Sequence, residues 1–111
     1  MQAIRNHDRL LTDIVERLVK WYEPERIILF GSLAHGTPDD DSDIDLLIVK
    51  DSDERPLDRR VRVRRIAAGL HPRVPFSPLV LTPGELSARL SAGDKFYRQI
   101  IRDGITLYER C

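Results

Sequence analysis

Two pairs of residues in this sequence have the types and spacing for chemistry on phosphates: Gly31-Ser32, and the aspartates Asp43 and Asp45. The Gly-Ser pair directly follows an apolar run at 26–30, and ten residues separate it from Asp43, which opens a second apolar run. Because side chains alternate between the faces of a strand, the i, i+2 spacing predicts that both carboxylates lie on one face. Paired carboxylates suit a hard divalent cation that also binds substrate phosphates, and backbone N–H groups at a Gly-Ser turn can reach those phosphates. The pattern therefore predicts a site for a nucleoside triphosphate and a metal ion.

Two other loop signatures could explain parts of this pattern, and both fail on residue identity. An EF-hand calcium loop needs glycine at its sixth position and glutamate at its twelfth. A loop that starts at Asp39 has Ile44 and Lys50 at those positions, and the frame that starts two residues later fails in the same way. A P-loop needs Gly-Lys followed by serine or threonine, which is absent. The three aspartates at 39–41 are interpreted as a solvated acidic loop.

The Gly-Ser pair and the aspartate pair resemble the signature of the minimal nucleotidyltransferases, small members of the DNA polymerase beta-like superfamily. In that signature, Gly-Ser is followed after about ten residues by Asp-x-Asp. The resemblance covers most of the chain and implies an α+β fold, a small mixed sheet with helices packed on it, as one domain over 1–111. It implies catalytic and Mg²⁺-binding roles for Asp43 and Asp45, and binding of the nucleotide phosphates by Gly31 and Ser32.

The resemblance also implies a reaction and a partner. A nucleoside monophosphate, AMP from Mg-ATP, would pass to a hydroxyl group, and the chain has no further domain to hold the acceptor. In the family, such stand-alone domains often pair with a small helical HEPN protein as a toxin–antitoxin system and modify a tyrosine of the toxin. His35 stands where many relatives have arginine. Two interpretations of it stay open, a donor to a nucleotide phosphate and a plain surface histidine.

One departure from the family pattern concerns a third carboxylate. In the family, an aspartate on the next strand completes the metal site and is usually taken as the base for the attacking hydroxyl. Alignment of the run 74–82 with that strand places Ser77 at this position. A serine is a poor general base unless another group activates it. The sequence therefore leaves two functions open, a slow or partner-assisted transferase and a non-catalytic module that binds and neutralises a partner protein.

The elements that must position these residues follow from apolar periodicity and turn signals. Helical spacing of apolar residues begins at Leu10 and stops before Pro24. Pro78 in the third strand predicts an edge strand or a bulge, because proline cannot donate to a sheet ladder. Thr82-Pro83-Gly84-Glu85 predicts a capping box, and Gly104 a C-terminal cap. The expected order is a helix over 10–22, strands at 26–30 and 43–49, a helix over 56–70, a strand at 76–81, a helix from 83, a helix over 94–103 and a strand at 105–108.

Composition narrows the classes of function. The 111 residues carry 18 basic and 18 acidic side chains, and this zero net charge argues against a nucleic-acid binder driven by overall charge. Cys111 is the only cysteine, which excludes an internal disulfide and favours the cytoplasm. No apolar run approaches the roughly 20 residues that span a bilayer, so no membrane association is expected. A homo-oligomer is left open.

Two further groups of residues receive structural interpretations. The arginines between residues 55 and 65 predict a solvated helix face, with docking of an acidic partner or of nucleic acid as the alternative. Val61, Ile66 and Leu70 are expected on the inner side of that helix. The aromatic residues at helical packing positions are expected in the core rather than in a base-stacking platform; they are Trp21, Tyr22, Phe96 and Tyr97.

Overall fold

The computed structural model describes residues 2–34, 43–70 and 74–110. Within these ranges, helices and strands alternate largely as the apolar patterns predict. The first helix ends before Pro24 as predicted, but it begins at Gln2 rather than at Leu10, because residues 2–9 are mostly polar and show no apolar spacing. The third strand has the predicted bounds. The elements in chain order are α1 (Gln2–Trp21), β1 (Arg26–Phe30), β2 (Ile44–Val49), α2 (Pro56–Ala67), β3 (Phe76–Leu81), α3 (Pro83–Ser91), α4 (Lys95–Asp103) and β4 (Ile105–Glu109).

The strands form one mixed sheet in the order β3-β2-β1-β4. The central strand β1 runs antiparallel to both β2 and β4, whereas β2 and β3 are parallel. β3 is therefore an edge strand, as Pro78 predicts, and the missing N–H of this proline removes no ladder bond from the middle of the sheet. The predicted α+β class, a small mixed sheet with helices packed on it, is confirmed.

The two faces of the sheet carry two separate apolar clusters. One face packs on α1 and α2 through buried residues such as Ile14, Leu46 and Val63. The other face packs on α3 and α4, where Leu86 and Ile100 cover part of the sheet. Because successive strand residues point to opposite faces, Asp45 lies on the same face as Leu47, the α3 and α4 face. None of the described helices is long and apolar enough to span a membrane.

The helix ends show why two sequence signals hold. Thr82 caps α3 by accepting the Glu85 N–H, and the Glu85 carboxylate accepts the Thr82 N–H at 2.9 Å, so the predicted capping box is confirmed. Gly104 caps α4 as expected, but its φ of −72° is an ordinary one. Glycine is needed there for space, because a Cβ would lie 2.5 Å from the Ile100 carbonyl oxygen and 2.6 Å from Ile28 Cγ2.

The prediction for the inner face of α2 is wrong for Val61 and correct for Ile66 and Leu70, which are partly buried against the core, although Leu70 lies beyond the end of the helix. The helix ends at Ala67, and its buried residues are Arg59, Val63 and Ala67, whereas Val61 is 39% exposed. Arg59 is only 4% exposed because Glu85 of α3 binds its guanidinium with two hydrogen bonds, at 2.7 and 3.1 Å. Because an arginine occupies one of the inward positions, the spacing of apolar residues does not show which face of α2 is buried. The arginine run is thus a solvated face in part only, with Arg59 as the exception.

The prediction that the aromatic residues are core residues holds for two of the four. Tyr22 is buried and Tyr97 is partly buried, but Trp21 is 66% exposed and Phe96 is 49% exposed. Trp21 is the last residue of α1, directly before the buried Tyr22, and Lys20 lies over its ring at 5.2 Å. Phe96 lies near the start of α4, where the helix leaves a cleft beside β1.

Candidate functional site

The Gly31-Ser32 turn lies directly against the carboxylate of Asp45. Gly31 follows β1 with a φ of +79°, a left-handed conformation that residues with a Cβ rarely adopt. A Cβ at this position would overlap Asp45 Oδ2 and lie 3.2 Å from the carboxyl carbon. The Ala34 N–H donates to the Gly31 carbonyl at 3.1 Å, which closes the turn. Glycine is therefore required twice, for the backbone conformation and for the close approach of the carboxylate.

The two aspartates differ in position and burial. Asp45 lies within β2 opposite Phe30 of β1 and is half-buried. Asp43 is exposed and precedes the strand, which begins at Ile44 rather than at residue 43 as predicted. The strand begins at Ile44 because its other neighbour, β3, begins opposite it at Phe76, and the ladder with β1 already stops at Asp45. Burial raises the pKa of the Asp45 carboxyl, and the negative charge of nearby Asp43 raises that pKa further.

This electrostatic arrangement fits a divalent cation. The Asp45 carboxylate is destabilised by burial and by a like charge, and a cation between the two carboxylates would offset both effects. Carboxylate oxygens are also the donors that Mg²⁺ prefers. Among the described residues, no group of three His, Cys, Asp or Glu side chains could hold a metal ion. Asp43 and Asp45 would therefore supply only two protein side chains, and substrate phosphates and water would complete the coordination.

Ser77 occupies the place beside Asp45 where a third carboxylate would stand. In the parallel ladder between β2 and β3, Asp45 is the register partner of Ser77, so both side chains are on the same face of the sheet. No acid lies on β3. The carboxylate side of the site therefore consists of Asp43, Asp45 and a neutral hydroxyl, as the alignment of this strand predicts.

The next acid along the chain, Glu85, is held away from this role. Its carboxylate accepts two hydrogen bonds from the Arg59 guanidinium, which also donates to the Glu54 and Val80 carbonyls, and one from the Thr82 N–H. The hydrogen bond from Arg59, followed by that from the Thr82 backbone, lowers the pKa of Glu85. A carboxylate stabilised in its charged form by an arginine is a weak proton acceptor. Glu85 thus joins α2 to α3 and does not replace the missing base.

The side of Asp45 opposite to Ser77 has an aromatic wall that the sequence did not reveal. The ring of Phe30 meets the ring of Phe96 edge to face, with 5.8 Å between centroids. Phe96 in turn packs edge to face on Tyr97 at 5.1 Å. Helical spacing alone assigned Phe96 to the core. The available signal was its position near the start of a short helix, where the packing of neighbouring elements decides which rings stay exposed.

Some predicted residues lie outside the part of the chain that the structure describes. They are His35, considered for phosphate binding, and the acidic loop 39–41. Of the predicted site, the described residues are Gly31, Ser32, Asp43 and Asp45. The structure brings Gly31 into contact with Asp45, and it places Asp43 close enough for its charge to raise the pKa of Asp45. Their roles in binding and catalysis stay predictions.

Comparison with known proteins agrees with this geometry. Residues 12–111 match the family described as polymerase beta, nucleotidyltransferase, whose members generally use a divalent metal ion and a nucleoside triphosphate. The fold is similar to the crystal structure of a Sulfolobus solfataricus protein proposed to be a nucleotidyltransferase, with a TM-score of 0.69 and 25% identity over 98% of this chain and 86% of that chain. No curated protein matches the sequence significantly. The chain belongs to the polymerase beta nucleotidyltransferase family.

Proposed function

We propose that this protein transfers a nucleoside monophosphate, AMP from Mg-ATP, to a hydroxyl group of another molecule. The observation that carries the proposal is the contact between the left-handed Gly31 turn and the Asp45 carboxylate. This contact puts the phosphate-binding backbone and a carboxylate side by side in a chain of the nucleotidyltransferase family. No other pair of described residues combines a left-handed glycine turn with a destabilised carboxylate in contact with it.

Each residue has a distinct part in this proposal. The turn at Gly31 and Ser32 holds the β- and γ-phosphates, because its backbone can approach them without a Cβ in the way. Asp43 and Asp45 hold Mg²⁺ through their carboxylates. When bound, Mg²⁺ neutralises charge on the triphosphate and on the leaving pyrophosphate. The half-buried position of Asp45 excludes water from one side of its carboxylate and orients it towards the turn.

The acceptor and its activation come from outside the chain. Ser77, next to Asp45, cannot remove a proton as a carboxylate does. General base catalysis contributes about a hundred- to ten-thousandfold, so the chain alone is a slow transferase. We propose that a helical HEPN-type protein presents the acceptor, a tyrosine hydroxyl, in a cytoplasmic toxin–antitoxin pair. The support for this partner is the family resemblance.

A second candidate function is favoured by Ser77 itself. A chain that has lost the third carboxylate can persist as a module that binds and neutralises a partner protein without any transfer. Binding of Mg-ATP is compatible with both functions. The Asp45→Asn variant distinguishes the two functions, because a transferase would lose its effect on the partner and a binding module would retain it.

The variant Ser77→Asp tests the transferase directly, with Ser77→Asn as a control of similar size and no charge. The assay follows label from α-labelled ATP into protein of an extract from the source cell. The aspartate restores a proton acceptor next to Asp45, so we expect transfer to rise by about tenfold or more, and no rise with asparagine. If neither the parent nor Ser77→Asp transfers label, the chain acts as the binding module.

A further inference from the structure

A cleft of about 150 Å³ opens beside Gly31, between the end of β1 and α4. It has room for about five water molecules, which suits a planar base but not a whole nucleotide. One wall is the aromatic pair Phe30 and Phe96, and the opposite end is polar. The residues that line the cleft include Phe30, Gly31, Phe96, Gln99 and Asp103.

We propose that this cleft binds the purine base of the nucleotide substrate, an inference that depends on the proposed nucleotidyl transfer. In an in-line displacement, the attacking and leaving oxygens lie on opposite sides of the phosphorus. The triphosphate is held at the Gly31 turn, on the β1 side of Asp45, so the acceptor approaches from the β3 side, where Ser77 lies. The cleft borders the turn itself. The nucleoside is attached through an equatorial oxygen of the reacting phosphorus, so a base bound in this cleft, away from Ser77, leaves the path of the acceptor open.

The aromatic wall provides a stacking surface. Phe96 is held by edge-to-face contacts with Phe30 and Tyr97, and yet 49% of its surface is exposed. A ring fixed by its neighbours loses little freedom when a ligand stacks on it. An aromatic side chain that stacks on a base is a main source of affinity at nucleotide-binding surfaces. A purine, with two fused rings, covers more of this exposed ring than a pyrimidine does.

The polar end of the cleft complements the edge of a purine. Gln99 is exposed on α4 and its amide offers both a donor and an acceptor. Asp103, one helical turn further, offers a carboxylate that accepts hydrogen bonds while also pairing with Arg102 at 3.2 Å. Adenine and guanine both carry an exocyclic amine or ring N–H for the carboxylate and ring acceptors for the amide. Uracil also has a ring N–H and carbonyl acceptors, so the preference for a purine over UTP comes from the larger stacking area on Phe96.

Calorimetric titration separates the base from the phosphates. The intact chain is titrated with Mg-ATP, Mg-GTP, Mg-UTP and magnesium tripolyphosphate, which has no base. The variants are Phe96→Ala and Gln99→Ala, with Trp21→Ala as a control that removes an exposed aromatic side chain at the end of α1. We expect a purine nucleotide to bind more tightly than tripolyphosphate, and Phe96→Ala to weaken it by about 5- to 100-fold. Affinity for tripolyphosphate should not change in any of the three variants.

Three results would overturn the inference in distinguishable ways. Unchanged purine affinity in both Phe96→Ala and Gln99→Ala would show that the base binds elsewhere, while the proposed function stands. Equal affinity for UTP and for the purine nucleotides would contradict a purine stacked on Phe96. A lack of binding of both Mg-ATP and tripolyphosphate by the parent chain would contradict the proposed function itself and, with it, the assignment of the cleft.

Discussion

Replacement of Gly31 by alanine tests the contact on which the site is built. The added Cβ would overlap Asp45 Oδ2, so the carboxylate must rotate away from the turn. The left-handed φ of +79° adds a backbone cost that any Cβ-bearing residue shares. Gly31→Ala should therefore damage both stability and the binding of Mg-ATP, for two separable reasons.

The chain offers a matched control for the backbone part. Gly93 has nearly the same φ, +78°, and the nearest atom to a Cβ there is Arg98 Nη2 at 4.0 Å. Gly93→Ala should lose about 1–2 kcal/mol of the free energy of unfolding, the cost of the left-handed conformation alone. Gly31→Ala should lose at least as much, plus the cost of displacing the Asp45 carboxylate.

The assay has two parts, urea denaturation for the free energy of unfolding and titration with Mg-ATP for the site. Both variants should unfold at lower urea concentrations, but only Gly31→Ala should lose affinity for Mg-ATP, by about tenfold or more. In an Asp45→Ala background the contact is gone, so the extra destabilisation by Gly31→Ala should fall to that of Gly93→Ala. Retention of full Mg-ATP affinity by Gly31→Ala would show that the contact between the Gly31 turn and Asp45 is not needed to bind the nucleotide.

Three further changes test other parts of the account, each by urea denaturation. Asp45→Asn should raise the free energy of unfolding in the absence of metal. Because the pKa of Asp45 is raised in the folded state, the parent loses stability as pH rises from the unfolded-state pKa to the higher folded-state pKa, and the variant does not. The same variant should lose Mg-ATP binding. Glu85→Gln should cost about 2 kcal/mol of the free energy of unfolding, less than the roughly 3–5 kcal/mol for a fully buried pair, because the Glu85 side chain is 41% exposed. Since the pKa of Glu85 is lowered in the folded state, this contribution is present at neutral pH and is lost as pH falls through the folded-state pKa. An unaffected Glu85→Gln variant would show that Arg59 is stable without the Glu85 charge. Gly104→Ala should cost about 1–3 kcal/mol by overpacking, whereas Gly84→Ala, with the nearest atom at 4.0 Å, should be neutral or stabilising.

Much of the fold follows from local signals in the sequence. β1 and β3 have the predicted bounds because each is a short apolar run between turn residues. The start of α3 follows from Thr82 and Glu85, which are three residues apart and need no partner from elsewhere. Such features depend on neighbours along the chain, and the sequence displays those neighbours directly.

The errors concern side chains whose environment comes from distant parts of the chain. Arg59 is buried because Glu85, 26 positions later, binds it, and no local pattern reveals such a partner. Phe96 has apolar spacing within its helix, but α4 crosses the end of β1 in a way that leaves half of the ring exposed. The positions of the aspartate pair and Ser77 on one face of the sheet follow from strand alternation and spacing. The cleft beside Gly31 was not, because it arises only where α4 meets β1.

Labelling with ATP that carries the label on either the α- or the γ-phosphate is the most direct test of AMP transfer at the site formed by Gly31 and Asp45. The protein, MgCl₂ and an extract of the source cell are incubated with each nucleotide, and Asp45→Asn is run in parallel. We expect the added protein to produce a labelled band from α-labelled ATP that extract alone and the γ-labelled sample do not show, and we expect this band to require Mg²⁺ and to be absent with Asp45→Asn. Labelling of the same band from the γ-phosphate only when the protein is added, or α-labelling that persists in Asp45→Asn, would contradict nucleotidyl transfer at this site.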